Sequence, residues 1–124
     1  MEELDRWALT RLDALVQAFR DYLPGRKITF LNGCMADKDY GEMFRDLAPF
    51  ASEFVTVTPP NPRALKAEEL AEHLKRYNLP VTPCKTVAEG VNTAIEHAGR
   101  DGVVCACGSL YMIGDICAAL DARR

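Results

Sequence analysis

Arg63 is the residue whose type and setting most directly suggest chemistry in this sequence. It follows Asn61 and Pro62, in a loop that begins with two further prolines and can continue neither a helix nor a strand. A guanidinium matches the two oxygens of a carboxylate, and a proline-rich loop limits the positions that it can take. Contact with an anionic substrate is therefore predicted for Arg63, and simple exposure to solvent is the alternative. Asn61 and Pro62 could be no more than turn residues.

Gly108 and Ser109 form a second candidate anion site, just before the last helical pattern of the chain. A Gly-Ser turn there would present free backbone amides and the positive end of a helix dipole, both of which favour a carboxylate. Ser109 is also the expected N-cap of that helix whether or not it binds a ligand.

A third polar segment contains Asp37, Lys38 and Asp39. Asp39 precedes Glu42 by three residues, which is the spacing of a capping box at the start of a helix. All three charges could simply solvate a turn. Asp37 and Lys38 are the stronger candidates for contact with a ligand, because the cap needs neither of them.

Other catalytic groups and metal sites are not predicted. No G-x-x-x-x-G-K-[ST] phosphate loop occurs, so ATP hydrolysis by these residues alone is not expected. Cys34, Cys84 and Cys107 could each end a strand, which is the one route to a metal site, but free cysteine is usually a small buried hydrophobe. His73 and His97 lie in helical patterns without a partner at ligand spacing, so structural roles are expected for both.

Alternating apolar patterns place these residues in a fold. Short apolar runs predict strands at residues 27–32, 54–58, 81–84 and 103–107. Apolar spacing of three and four predicts helices over residues 2–22, 67–77 and 87–98, with two more after Asp39 and Ser109. Thr86 and Glu89 give the helix at 87–98 a further capping-box pattern.

Strands that are apolar on both faces and alternate with helices predict a Rossmann-like, three-layer α/β/α domain. We expect a mainly parallel sheet of four strands in the order 3-2-1-4 and about five helices. Ligands of such sheets bind beyond the carboxyl ends of the strands. The candidate residues should therefore converge at that end: Asp37, Lys38, Arg63, Ser109 and Tyr111.

Composition limits the kinds of partner. The 124 residues fit one domain, residues 1–124, and 48% apolar with 27% charged residues is typical of a soluble globular protein. Fifteen basic residues are scattered among 18 acidic ones, so nucleic acid is not an expected partner. No apolar run approaches the roughly 18 residues of a membrane span, and the acidic start lacks a signal-peptide pattern. A cytoplasmic location is expected.

Three segments resemble one family. Residues 33–40 (GCMADKDY) resemble the G-x-x-x-D-K-D segment in the C-terminal domain of folylpolyglutamate and dihydrofolate synthases. Residues 61–65 (NPRAL) resemble that family's (S/N)-P-R-A-L segment and the N-P-R turn of the related Mur ligases. Residues 108–111 (GSLY) resemble its G-S-L-Y/F turn. The segments occur in the family's order at the predicted strand ends, and the resemblance covers residues from about 12 to 120.

The resemblance implies an ATP-dependent ligase that adds glutamate to tetrahydrofolate, or possibly forms dihydrofolate. It implies that Ser109, with Tyr111 near it, contacts the glutamate being added, while Tyr111 could instead pack under the helix. Arg63 and Asn61 would share this substrate side, whereas Asp37, Lys38 and Asp39 would face the cleft between domains on the nucleotide side. ATP and Mg²⁺ would bind to the parent enzyme's central domain, and no cofactor is expected in this chain.

Residues 1–11 (MEELDRWALTR) depart from the family, which has a D-G-A-H-N-P strand before the first helix. Contacts supplied by that motif cannot be transferred. Three hypotheses stay open: a ligase domain completed by a separate ATP-binding chain or surviving as a remnant, a stand-alone module that binds a glutamyl or folate anion, and an interaction domain. An edge left unpaired could also be covered by Trp7 and Leu9 or join two copies into a homodimer.

Overall fold

The computed structural model describes residues 17, 20, 21, 25–37, 40–108 and 110–123. Most of the predicted first helix, and with it Trp7 and Leu9, lies outside these residues. Within them, the strands are β1 (Ile28–Gly33), β2 (Ala51–Thr56), β3 (Val81–Pro83) and β4 (Val103–Gly108), and the helices are α1 (Gly41–Leu47), α2 (Ala67–Leu74), α3 (Val87–Ala98) and α4 (Ile113–Ala122). Short 3-10 turns cover Ala48–Phe50, Lys75–Tyr77 and Leu110–Met112.

All pairings between the strands are parallel, in the order β3-β2-β1-β4. The predicted sheet and its order are therefore confirmed. Strand β1 lies between β2 and β4 and all six of its residues are buried, as its apolar sequence on both faces requires. Register places Phe30 beside Phe54 of β2 and Cys105 of β4.

Two apolar clusters, one on each face of the sheet, make the three layers. On one face, Phe30 and Phe54 stack with ring centroids 6.0 Å apart, and Phe44 of α1 and Leu70 of α2 complete the cluster. On the other face, Leu31, Val55 and Val57 pack against residues of α3 and α4 that include Val91 and Ala119. The Rossmann-like α/β/α architecture is confirmed. Four α-helices have described bounds, and the described residues 17, 20 and 21, which belong to the predicted first helix, are also helical.

Helix α1 begins one residue later than predicted. The helix begins at Gly41, its N-cap residue is Tyr40, and no side chain among the described residues caps it. Tyr40 instead packs on the core, with its ring edge-on to His73 at 5.0 Å between centroids. Packing of Tyr40 fixes the start of this helix, whereas the predicted Asp39 cap would begin it one residue earlier; Asp39 itself lies outside the described residues.

Two strand predictions also need correction. Strand β2 begins at Ala51, three residues before the prediction, because Ala51 is buried and pairs with Ile28 ahead of an irregularity in the ladder. Strand β4 was predicted to be buried on both faces, but Val104 is 36% exposed and Ala106 is exposed. Only the side that carries Cys105 and Cys107 faces the core, since β4 lies at the edge of the sheet.

Helix α3 confirms the predicted cap. Thr86 is its N-cap residue, and its hydroxyl accepts a hydrogen bond from the Glu89 amide at 3.0 Å. The Glu89 carboxylate accepts from the Lys85 amide at 3.3 Å, one residue away from the partner of an ideal capping box. Among the described residues, no helix is long and apolar enough to cross a membrane.

Candidate functional site

The carboxyl ends of β1 and β4 meet at two glycines. Gly33 is the register partner of Gly108, and a Cβ atom on Gly108 would lie 2.1 Å from the Gly33 carbonyl oxygen. Gly108 also has φ +125°, a backbone conformation that residues with a side chain rarely adopt. Glycine is required here for the strand ends to approach, and the approach places the segments after β1 and β4 at one end of the sheet.

The segments that follow β1 and β2 are joined to each other by backbone contacts. Met35 and Ala64 form an antiparallel bridge. On either side of it, the Ala36 amide donates to the Arg63 carbonyl and the Leu65 amide donates to the Cys34 carbonyl, both at 2.8 Å. We call residues 34–37 and 61–65 the loop pair. The buried Cys34, Met35 and Leu65 anchor the loop pair to the core. The loop pair is therefore a fixed part of the rim, by which we mean the carboxyl end of the sheet and the segments that follow its strands.

Asn61 shapes the turn that presents Arg63. Its side-chain oxygen accepts a hydrogen bond from the Arg63 amide at 2.9 Å, and its carbonyl accepts from the Ala64 amide at 3.0 Å. This is an Asx turn, in which an asparagine side chain replaces a backbone acceptor. The turn role that the sequence left open for Asn61 is therefore present, and substrate contact by Asn61 stays a prediction.

Arg63 and Asp37 form an ion pair across the loop pair. Arg63 Nη1 lies 2.9 Å from Asp37 Oδ2, and the two side chains are 64% and 51% exposed. The family resemblance implied that Arg63 lies on the substrate side and Asp37 on the nucleotide side, yet here they are direct partners. An exposed pair of this kind contributes about 0–1 kcal/mol to stability.

Tyr111 lies in the 3-10 turn after β4 and is 52% exposed. Its neighbour Met112 is buried, and the Met112 sulfur lies 2.5 Å from the position of a Cβ on Gly33. Met112 thus ties this turn to the end of β1, and the exposure of Tyr111 is against packing under the helix. Three other predicted residues, Lys38, Asp39 and Ser109, lie outside the described residues. Of the predicted site, the structure brings Asp37 and Arg63 into contact and places Tyr111 at the same end of the sheet.

A buried polar contact between β1 and β4 was not predicted from the sequence. Asn32 is fully buried in β1, and its side-chain nitrogen donates to the carbonyl oxygen of Cys107 at 3.1 Å and to its sulfur at 3.0 Å. The Asn32 side-chain oxygen has no partner among the described residues. The signal was available, since Asn32 is the one amide in an otherwise apolar strand run. It joins β1 to β4 directly below the two glycines.

The thiols around Asn32 are not poised for reaction. Burial raises the pKa of Cys34 to about 12, and a hydrogen bond with Cys105 together with burial raises the pKa of Cys107. Both are neutral thiols near neutral pH, whereas nucleophilic attack and metal ligation need the thiolate. No group of three potential metal ligands occurs in the part of the chain that the structure describes.

Neither histidine belongs to the site. His73 lies against Tyr40, and His97 Nδ1 lies 2.7 Å from Glu53 Oε1. A further polar contact that sequence patterns did not indicate is made by Thr58, whose hydroxyl accepts a hydrogen bond from the Ala67 amide at 2.9 Å. Thr58, two residues after β2, thereby caps the start of α2.

Comparison with known proteins decides the family. Residues 9–110 match the family model described as the Mur ligase, glutamate ligase domain. The chain belongs to this family. A dihydrofolate synthase/folylpolyglutamate synthase of Haemophilus influenzae is 30% identical over 112 residues, which are 89% of this chain and 25% of that protein. The predicted resemblance to the C-terminal domain of folylpolyglutamate synthases is confirmed.

Solved structures agree with this assignment. E. coli FolC in complex with ADP superposes with a TM-score of 0.78 at 23% identity, over 90% of this chain and 26% of FolC. A bifunctional folylpolyglutamate synthase/dihydrofolate synthase from Yersinia pestis, complexed with AMPPNP and Mn, gives a TM-score of 0.70 at 25% identity, over 89% of this chain and 25% of that one. This glutamate ligase domain therefore spans about a quarter of the length of its relatives.

Proposed function

We propose that this glutamate ligase domain forms the glutamate-binding wall of an ATP-dependent ligase that attaches glutamate to a folate. The observation that carries the proposal is the presentation of Arg63 at the carboxyl end of the sheet. Its backbone is fixed by the loop pair and the Asn61 turn, and its guanidinium contacts Asp37 at 2.9 Å. Support comes from the family description and from relatives whose names include folylpolyglutamate synthase.

In this proposal Arg63 binds a carboxylate of the incoming glutamate or of a glutamyl tail through two parallel hydrogen bonds. The backbone amides after Gly108, together with Ser109 and Tyr111, provide a second set of contacts at the same end of the sheet. Asn61 supports Arg63 from behind. These contacts hold the amino acid so that its amine can reach an activated carboxyl group, which is a catalytic contribution through proximity and orientation.

Activation of the folate carboxyl group is not assigned to this domain. The sequence has no G-x-x-x-x-G-K-[ST] phosphate loop, so the proposal assigns no ATP site to this domain. ATP and Mg²⁺ would bind elsewhere in a complete ligase, and Lys38 and Asp39 would face that side. A cytoplasmic location is proposed for this domain, as expected from its sequence.

An NMR titration of the purified, isotopically labelled chain with L-glutamate tests the proposal. Binding in the millimolar range is expected, because one wall leaves the ligand half solvated and each exposed ion pair is worth about 1 kcal/mol or less. Signals of Arg63, Ser109 and Tyr111 should shift, and a γ-glutamyl peptide should give the same pattern. The same protein should neither hydrolyse ATP nor ligate glutamate on its own.

Two arginines allow a matched control. Arg63→Ala should abolish the shifts, whereas Arg45→Ala should leave them intact, because Arg45 is similarly exposed at 68% but lies on α1 beside Glu42. Shifts confined to other surfaces, or unchanged in Arg63→Ala, contradict glutamate binding at this rim. To separate a ligase domain from a non-catalytic module, the chain should be mixed with the ATP-binding part of a related ligase. Restored glutamate ligation supports the ligase, and binding without turnover supports the module.

A further inference from the structure

We propose that Asp37 is a positioning residue that orients Arg63 for carboxylate binding, which places Asp37 on the glutamate side of the site. The inference rests on the proposed function above and extends it from the binding residue to the residue that sets its geometry. It replaces the expectation that Asp37 belongs to the nucleotide side. The first argument is the way in which Asp37 uses only part of the guanidinium.

A guanidinium carries five N–H donors on three nitrogens. Asp37 Oδ2 contacts Nη1 of Arg63 at 2.9 Å. The Nε and Nη2 atoms form the opposite, side-on edge, which is the edge that makes two parallel hydrogen bonds with a carboxylate. With 64% of the Arg63 side chain exposed, an anion can approach from solvent while the contact with Asp37 is kept. Among the described residues, the pair therefore leaves the Nε–Nη2 edge open while restricting its direction.

The second argument is that two adjacent residues hold Arg63 at both ends. The Ala36 amide donates to the Arg63 carbonyl at 2.8 Å, and the next residue, Asp37, accepts from the end of the Arg63 side chain. The Asn61 side chain fixes the Arg63 amide. An arginine side chain loses up to about 2 kcal/mol of rotamer entropy when it is ordered, and these contacts order it before any ligand arrives.

The sign of the effect distinguishes positioning from simple charge. Glutamate is an anion, so removing the negative charge of Asp37 should tighten its binding if only the field around Arg63 matters. If Asp37 positions the guanidinium, the same change should weaken binding even though the site becomes more positive. Asp37→Asn keeps the shape of the side chain and removes the charge, which makes it the decisive variant.

The first measurement needs no ligand. The side-chain Nε–H signal of Arg63 in a ¹⁵N-labelled sample reports the environment and mobility of the guanidinium. We expect this signal to move and its order parameter to fall in Asp37→Asn and Asp37→Ala, with partial recovery in Asp37→Glu. Glu72→Gln is the control, because it removes an exposed carboxylate of helix α2 that lies 2.8 Å from Lys75. Neither residue belongs to the loop pair.

The second measurement is the glutamate titration of the same variants. Binding should weaken about two- to fivefold in Asp37→Asn and Asp37→Ala, the size of one exposed charge-assisted contact, and should recover partly in Asp37→Glu. Unchanged or tighter binding in Asp37→Asn overturns the inference, and so does an Arg63 signal that is the same in all variants. If the unmodified chain binds no glutamate while the Arg63 signal still depends on Asp37, the proposed ligand is wrong and the positioning role stands.

Discussion

Replacement of Gly108 by alanine should destabilise the domain more than replacement of Gly99, because a Cβ at Gly108 would meet the backbone at the end of β1. Two separate costs arise. The residue has φ +125°, which an alanine adopts only with strain of about 1–3 kcal/mol. The new Cβ would also lie 2.1 Å from the Gly33 carbonyl oxygen, inside van der Waals contact.

The steric cost adds to the strain, because the atom that is struck belongs to the backbone of the central strand and cannot rotate away. Overpacking of this kind costs about 1–3 kcal/mol, so the total for Gly108→Ala is about 2–6 kcal/mol. Gly99 is the matched control. It has φ +76° with nothing within 4 Å of its Cβ position, so Gly99→Ala carries the strain alone, about 1–3 kcal/mol.

Urea unfolding followed by circular dichroism measures both variants, with the m-value checked for constancy. The difference between them isolates the contact between the ends of β1 and β4, and we expect Gly108→Ala to be the less stable by about 1–3 kcal/mol. Amide spectra of Gly108→Ala should also show shifts around Asn32 and Met112, on either side of the glycine pair. Equal losses of stability in the two variants would refute the close approach as the reason for glycine at this position.

Three further predictions concern other parts of the molecule. Gly90→Ala should lower the free energy of unfolding by about 1–3 kcal/mol, because its Cβ would lie 2.2 Å from a Val57 methyl group. Gly114→Ala has open space around its Cβ and should raise this free energy by about 0.5–1 kcal/mol through helix propensity. Similar values for both variants in urea unfolding would contradict the packing of α3 on the sheet. Burial raises the pKa of Cys34 from 9.0 to about 12, so the folded state holds this proton more tightly than the unfolded chain and stability should fall as pH rises from about 9 toward 12. Urea unfolding of Cys34→Ala should show a weaker fall, and a pH profile identical to that of the unmodified chain would contradict this role of Cys34. Strand β4 is an uncharged edge strand with Val104 36% exposed, so the chain should self-associate at high concentration. Val104→Lys should reduce this self-association. A monomer at every concentration in sedimentation velocity would contradict the prediction.

Much of the sheet could be predicted because its signals are local. Strand β1 is apolar at nearly every position, which predicts a central strand, and β4 begins at Val103 as its apolar run indicates. The start of β2 could not be placed, since Ser52 and Glu53 look polar and only pairing of Ala51 with Ile28 extends the strand. The exposed face of β4 was missed because an edge strand and a central strand can have the same apolar sequence.

The site could be predicted only as a set of separate loops. Sequence indicated that Arg63 and Asp37 carry chemistry and that both follow strand ends, but it gave them different sides of the cleft. Their contact spans 26 residues and depends on the antiparallel bridge between Met35 and Ala64, which has no local sequence signal. Asn32 was missed for a related reason, because its partner Cys107 lies 75 residues away.

The energetics of Arg63 also indicate what a complete glutamate site needs. A dissociation constant of 1 mM corresponds to about 4 kcal/mol, whereas a hydrogen bond to a charged group contributes about 1.5–3 kcal/mol before the entropy of binding is subtracted. The Arg63 side chain is 64% exposed, so after this subtraction its guanidinium edge supports glutamate binding no tighter than about millimolar. Tight glutamate binding therefore requires a surface that closes over the open edge of Arg63, excludes water and strengthens the same hydrogen bonds. The preset geometry of Asp37 and Arg63 then has a clear advantage: the closing surface meets a guanidinium that is already directed, and its binding energy is not used to order the side chain.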